Sequence, residues 1–301
     1  MNKLRVVLSL ITRDNDYQRE QATVAEDSAR RLGIDLRIVY AEGDAILQTK
    51  QLLEAVHAPE AERPQALVVE PVGTGMLGIA EGAARKGIGW VVLNRDANYL
   101  SALRQGSPVP IGSIECDNEE VGRIQGRQFA ALLPSGGAVL YIEGPATDVV
   151  KQRRTGMEET LPANIQARPF RGRWTEESGY QVVAARLGRP GGGSVDLIGC
   201  QNDAMAMGAR HAVEELPPGE LRDQWLRLPF TGVDGVSSSG QAWVREGRLA
   251  ATIIAPPLTG TALELLAKSI GSGAPFPLRT LMKPVSYPAV GELRPRVAAR
   301  V

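Results

Sequence analysis

Short apolar runs rich in β-branched residues alternate along the chain with longer stretches whose apolar positions return every three or four residues. The runs at 5–10, 35–40, 66–69, 89–93, 138–142, 195–199, 230–233 and 249–255 read as strands, and 18–32, 45–56, 76–86, 119–133 and 204–216 as helices. Such alternation predicts parallel sheets with right-handed crossovers and helices on both faces. The strands are too many for one compact sheet, so the expectation is α/β with two doubly wound lobes. Proline- and glycine-rich punctuation falls at 107–110, 190–193, 217–219 and 271–277, with no low-complexity segment and no short-period repeat.

A length of 301 residues gives each lobe enough chain for its own core. The 34 basic residues balance the 34 acidic ones and form no concentrated basic face, which argues against a nucleic-acid partner. No apolar stretch approaches the roughly 18–20 residues that span a bilayer, so direct membrane insertion is not expected. The run at 6–11 follows Lys3 and Arg5 and loosely imitates a secretory leader. It is short, lacks a small-residue cleavage site and meets Arg13 and Asp14 at once, so it reads as the first buried strand. Cys116 and Cys200 each close an apolar run; a disulfide stays open, but two thiols are the expectation.

Ligands of open α/β sheets bind beyond the carboxyl ends of the strands, so the residue after each apolar run carries the functional signal. The first strand is followed by Thr12-Arg13-Asp14-Asn15-Asp16-Tyr17 and the third by Glu70. Later strands are followed by Asn94-Arg95-Asp96, Gln201-Asn202-Asp203 and Asp234. Any one of these could simply cap the next helix. Five together point to a shared polar cleft. Carboxylates and amides accept from hydroxyl groups, while an arginine fork donates to the same oxygens, which suits a polyol. Trp174 and Tyr17 are the loop-placed aromatics that could cover the apolar face of a sugar ring; Trp174 could equally plug a core.

Gly73-Thr74-Gly75-Met76-Leu77-Gly78 matches the dinucleotide fingerprint, with Asp96 about twenty residues on. Glu70 and Pro71 lengthen the tight turn that motif requires, and the carboxylate would stand near a pyrophosphate, so the segment reads as a loop. His57 and His211 lie in helical patterns. There is no nucleophile elbow, metal-spaced His/Cys cluster or phosphate loop in the sequence. Glu70 and Asp234 could form an acid/base pair, but ligand hydrogen bonding needs fewer assumptions. The expectation is therefore a binding protein, not an enzyme, without a cofactor or a bound metal.

Several of these segments resemble the ribose-binding class of solute receptors, relatives of lactose-repressor effector cores. The run from Gln201 to Ala209, QNDAMAMGA, is similar to the family's QND-x-MA-x-GA signature, and Gly232-Val233-Asp234-Gly235 to its GxDG turn. GRLAATI from Gly247 resembles GKLAATI, VVLNR from Val91 resembles VxxLDR, and Asp117-Asn118 with Gly122 resembles DN-xx-G. The anchors keep the family's order from about residue 5 to 255. The resemblance implies a periplasmic-binding-protein-like fold of type I, two lobes joined by three crossover segments near 113–117, 254–257 and 283–287, and closure by hinge motion. It implies an N-terminal lobe of 1–114 plus 256–284 and a C-terminal lobe of 115–255 plus 285–301. By the same resemblance, Asn15, Tyr17, Glu70, Asn94 and Arg95 would contact ligand from the first lobe, and Lys151, Trp174, Asn202 and Asp234 from the second.

The chain departs from that pattern in places. Glu70 stands where ribose receptors carry an asparagine, Asn94 replaces their aspartate, and Ala255 falls at an expected ligand-binding glutamine. Lys151 falls at their arginine, with Arg153 and Arg154 as neighbouring choices of register. These changes redistribute charge and put ribose itself in question. The resemblance implies capture of a small carbohydrate or polyol by a monomer, delivery to an ABC transporter permease, and a periplasmic location if a leader has been removed. The alternative is a cytoplasmic metabolite-sensing regulator core without a DNA-binding head, since about four residues precede the first strand.

Overall fold

The computed structural model describes residues 3–187 and 194–295; the punctuation at 190–193 lies outside the described residues. The chain opens with β1 (Arg5–Leu10), α1 (Asp16–Leu32), β2 (Asp35–Tyr40), α2 (Ala45–His57), β3 (Ala66–Val69), α3 (Leu77–Arg85), β4 (Gly89–Leu93), α4 (Leu100–Gln105) and β5 (Ile111–Cys116). It continues through α5 (Asn118–Leu132), β6 (Gly137–Glu143), α6 (Asp148–Thr160), β7 (Ile165–Arg171), α7 (Glu176–Ala184), β8 (Leu197–Cys200), α8 (Asp203–Glu214), α9 (Glu220–Arg227), β9 (Phe230–Thr231), α10 (Gly240–Arg245) and β10 (Thr252–Ile254). It closes with α11 (Thr259–Ser272), β11 (Arg279–Met282) and β12 (Val285–Tyr287).

Two compact units result, Met1–Cys116 with Pro257–Met282, and Asp117–Pro256 with Lys283–Val301, so the backbone passes from one to the other three times. The first unit holds a six-stranded sheet in the order β11-β5-β4-β3-β1-β2 with every pairing parallel. Strands β1, β3 and β4 are buried on both faces. Val6, Leu8, Leu10, Val68, Val91 and Leu93 enter one core with α1 and α11, while Val7, Leu67, Val69, Trp90 and Val92 enter another with α2 and α3. This two-sided burial explains why these strands are continuous apolar runs.

The second unit repeats the plan with a four-stranded parallel sheet, β7-β6-β8-β9, again cored on both faces. An antiparallel β10–β12 pair joins it, a feature the hydrophobic pattern did not predict. In both sheets the order reverses between the first and third strands of the unit, β1 beside β3 and β6 beside β8. That is the switch point at which α/β sheets open a crevice.

The pattern overlooked β5, β7, β11 and β12. Within β5, Gly112, Ser113 and Glu115 interrupt the apolar run, yet all are buried. A side chain at Gly112 would meet the Pro277 carbonyl oxygen at 2.3 Å, so close approach of the 277–278 backbone requires the glycine. Glu115 is held there by Ser113 Oγ and by a two-pronged pair with Arg279 at 2.9 and 3.1 Å. β7 and β11 are edge strands with exposed positions, so their apolar content is low. The strand expected over 249–255 shortens to Thr252–Ile254, with Ala251 making a single bridge to Thr231. Cys116 and Cys200 are both buried thiols, in different units, with no disulfide joining them. Among the described residues, no helix is long and apolar enough to cross a membrane.

Candidate functional site

In the first unit, Glu70 follows β3 at the switch point and is 3% exposed. Its carboxylate accepts from Gln18 Nε2 at 2.8 Å and from Asn94 Nδ2 at 3.1 Å. Burial pushes its pKa up from 4.5, against the pull of these two amides and of the Arg95 charge. Its own backbone is fixed as well: Glu70 N donates to Ser9 O, and Gln48 Nε2 donates to Glu70 O at 2.9 Å. Gln18 also accepts from Ile11 N at 3.0 Å, which ties the end of β1 to the carboxylate through one side chain.

Asn15 caps α1, accepting from Tyr17 N at 2.8 Å and Gln18 N at 3.3 Å. Tyr17, in the first turn, is buried. Asn94 sits at φ 63°, a left-handed conformation that asparagine tolerates better than most residues. Arg95 is half-buried and donates to Pro71 O at 3.0 Å and Gly73 O at 3.3 Å, bracing the loop before α3. The structure thus hydrogen-bonds Asn94 to Glu70, with Asn15 linked to the carboxylate through Gln18, and the Arg95 charge acts on the same carboxylate while its guanidinium donates to the Pro71 and Gly73 carbonyls. In the loop that imitates a dinucleotide fingerprint, side chains at Gly75 and Gly78 would enter open space, and one at Gly73 would make an ordinary 3.4 Å contact.

In the second unit the ends of β6, β7, β8 and β9 supply the groups. Gln201, fully buried after β8, donates to Tyr141 Oη at 3.0 Å and accepts from Gly144 N at 3.4 Å. Asn202 caps α8 by accepting from Met205 N at 2.9 Å, and its amide donates to the Trp174 carbonyl at 3.0 Å. Trp174 holds φ 65° and is half-buried against the core of this unit. A side chain at Gly144 would meet the Trp174 ring at 2.1 Å, so that glycine makes room for the indole.

Helix α6 fixes which cation faces this cluster. Lys151 is exposed, whereas Arg153 is 5% exposed. Arg153 Nε donates to Asn118 Oδ1 at 2.9 Å and Nη1 to Gln201 O at 2.5 Å, and the guanidinium lies 5.6 Å from the Trp174 ring centroid. Among the described residues no acceptor meets its Nη2. Arg154 forms a two-pronged pair with the buried Glu143. The inward turn of Arg153 depends on close helix packing: a side chain at Gly122 of α5 would strike the Arg153 carbonyl oxygen at 2.0 Å.

Asp234 follows β9 at φ 106° and is half-buried, and its backbone N–H donates to Ile253 O at 3.0 Å. Sequence reasoning passed over Gln18 and Asp203 and offered Arg153 only as an alternative register for Lys151. Gln18 could have been found as the position one helical turn beyond the Asn15 cap. Asp203 lay inside a quoted motif but was not singled out. His57 is exposed and bonded to Leu53 O, and His211 pairs with Glu176 and Arg248 on the surface of the second unit, so neither enters the clusters.

The family model for the periplasmic binding protein domain matches residues 6–269. The ribose import binding protein of Haemophilus influenzae is 26% identical over 258 residues, 84% of this chain and 80% of that protein. The D-allose-binding periplasmic protein of Escherichia coli is 25% identical over 279 residues, 89% and 85% of the two chains. Among solved structures, an ABC transporter periplasmic solute-binding protein from Actinobacillus succinogenes with bound D-allose aligns with a TM-score of 0.81. It is 23% identical, covering 94% of this chain and 97% of its own.

Proposed function

Because the chain belongs to the periplasmic binding protein family, we propose that it captures one small carbohydrate or polyol and delivers it, unchanged, to an ABC transporter permease. The observation that carries this reading is the pair of polar clusters at the two sheet switch points. Each combines charged groups with amides: Glu70, Asn94 and Arg95 in one unit, and Arg153, Trp174 and Asn202 in the other, where Asp234 follows the neighbouring strand β9. Carboxylates accept from ring hydroxyls, guanidinium groups donate to ring oxygens, and the indole covers C–H surface. The relatives named for ribose and for D-allose support this ligand class.

Within this reading Arg153, rather than Lys151, is the α6 cation that meets the ligand, because it is buried beside the indole and keeps an unspent N–H group. Micromolar affinity requires about −8 kcal/mol. A few such hydrogen bonds with ring contact supply that when the groups are preorganised, as their buried amide and backbone anchors make them. Family membership also supports a periplasmic place of work.

A thermal-shift screen of the full chain against D-ribose, D-allose, myo-inositol, sugar acids and amino sugars tests the proposal, since a ligand of the native state raises apparent stability by mass action. A positive shift, with the same compound recovered chemically intact, is the expected result. No shift with any member of the panel, or recovery of a converted product, refutes it.

A further inference from the structure

Asp203 is 3% exposed at the first position of α8, yet its carboxylate faces away from the helix it starts. One oxygen accepts from Gly235 N at 2.8 Å and the other from Thr252 Oγ1 at 2.7 Å. The chain is cleared around it: a side chain at Gly232 would lie 2.1 Å from Oδ1, and one at Gly240 would lie 1.9 Å from Oδ2. The Asp203 backbone N–H meanwhile donates to Val233 O, the residue before Asp234. The peptides on either side of Asp234 are thus both tied to Asp203, one by its backbone and the other by its side chain.

That clasp has a conformational purpose. Asp234 stands at φ 106° and Gly235 at φ 58°, and a residue with a Cβ resists the left-handed region unless its surroundings hold it there. A charge-assisted bond to the Gly235 N–H is the stronger kind of anchor. The Thr252 hydroxyl fixes the other carboxylate oxygen and so the orientation of the group.

We propose that Asp203 is the positioning residue for Asp234: its carboxylate holds the 233–235 turn in the one conformation that presents the Asp234 side chain to ligand. The proposal rests on the binding reading above. Asp203→Asn preserves size, but a neutral amide oxygen replaces the charged acceptor of the Gly235 N–H and the amide N–H turns the Thr252 hydroxyl from donor to acceptor, so the clasp weakens.

The test is a double-mutant cycle on the full chain, with affinity measured by calorimetry for whichever of D-ribose, D-allose, myo-inositol, the sugar acids and the amino sugars bind, and folding checked by circular dichroism. Asp203→Asn is expected to weaken binding at least about tenfold, and to add nothing further in the Asp234→Ala background, because both changes remove the same contact. A purely structural role would weaken binding equally in both backgrounds. Should Asp203→Asn fail to fold, Thr252→Val loosens the same carboxylate and is expected to give a smaller loss that also vanishes beside Asp234→Ala. If Asp234→Ala weakens binding while the folded positioning variant leaves it unchanged, or if the two penalties multiply, the positioning role is overturned and the binding reading stands. If no member of that panel binds, or Asp234→Ala is without effect, the binding reading falls and takes this inference with it.

Discussion

Asn202 offers a test in which one side chain does two separable jobs. It is 2% exposed; its oxygen caps α8 through Met205 N at 2.9 Å, and its amide holds the Trp174 carbonyl at 3.0 Å. In Asn202→Ala the lost cap costs about 1 kcal/mol, and the lost bond to Trp174 about 1 kcal/mol more. Each kcal/mol moves the Tm of a domain of this size by about 2–4 °C, so a fall of about 4–8 °C is expected. Asn202→Asp separates the two effects. The carboxylate still caps, with a charge that suits a helix N-terminus, but it now turns an acceptor towards the Trp174 carbonyl. Trp174 holds φ 65° and loses its restraint, so affinity is expected to fall about tenfold, or about 1.4 kcal/mol, with a smaller loss of Tm than in Asn202→Ala. Calorimetric titration and thermal melts of the two variants read this directly. If Asn202→Asp binds as tightly as the native chain, the claim that this amide positions Trp174 for ligand is refuted.

Four further outcomes follow from the same geometry. Arg153→Lys keeps the charge but loses the fork to Asn118 and Gln201, and should cost at least about tenfold in affinity by titration. Lys151→Ala, on the exposed side of α6, should leave affinity within about twofold. Gly144→Ala places a methyl group 2.1 Å from the Trp174 ring and should destabilise the fold by about 1–3 kcal/mol in a melt, with weaker binding as the indole is displaced. Glu70 has a pKa raised above 4.5, so folding takes up a proton between 4.5 and the raised value, and its contribution to stability grows as pH falls through that window. Ligand binding that uses the carboxylate weakens over the same window. In Glu70→Gln both pH dependences should disappear, as paired melts and titrations across that range would show.

Much of this arrangement was legible in the sequence because strand ends are marked by abrupt changes of residue type. Glu70, Asn94, Arg95, Asn202 and Asp234 each stand within two residues of the end of an apolar run, and parallel topology then sends them to the carboxyl edge of their own sheet. The hidden parts lie where neighbours in the sequence face opposite ways. Lys151, Arg153 and Arg154 fall on one helix, and only the contact of Gly122 with the Arg153 backbone reveals which face turns inward. Gln18 and Gln48 carry no signal of their own in the sequence, yet both are buried and donate to the carboxylate and the backbone carbonyl of Glu70. Strand β5 carries a buried glutamate whose partner, Arg279, comes from a strand 164 residues away, which no local pattern can announce.

Calorimetric titration of the full chain with the sugar or polyol that gives the largest thermal shift tests the central claim most directly, when the native chain is compared with Arg95→Ala and Asp234→Ala. One ligand per chain is predicted, with affinity lowered at least about tenfold but still measurable in either variant, although the two residues belong to different units. Two ligands per chain, or full affinity retained in either folded variant, would contradict it.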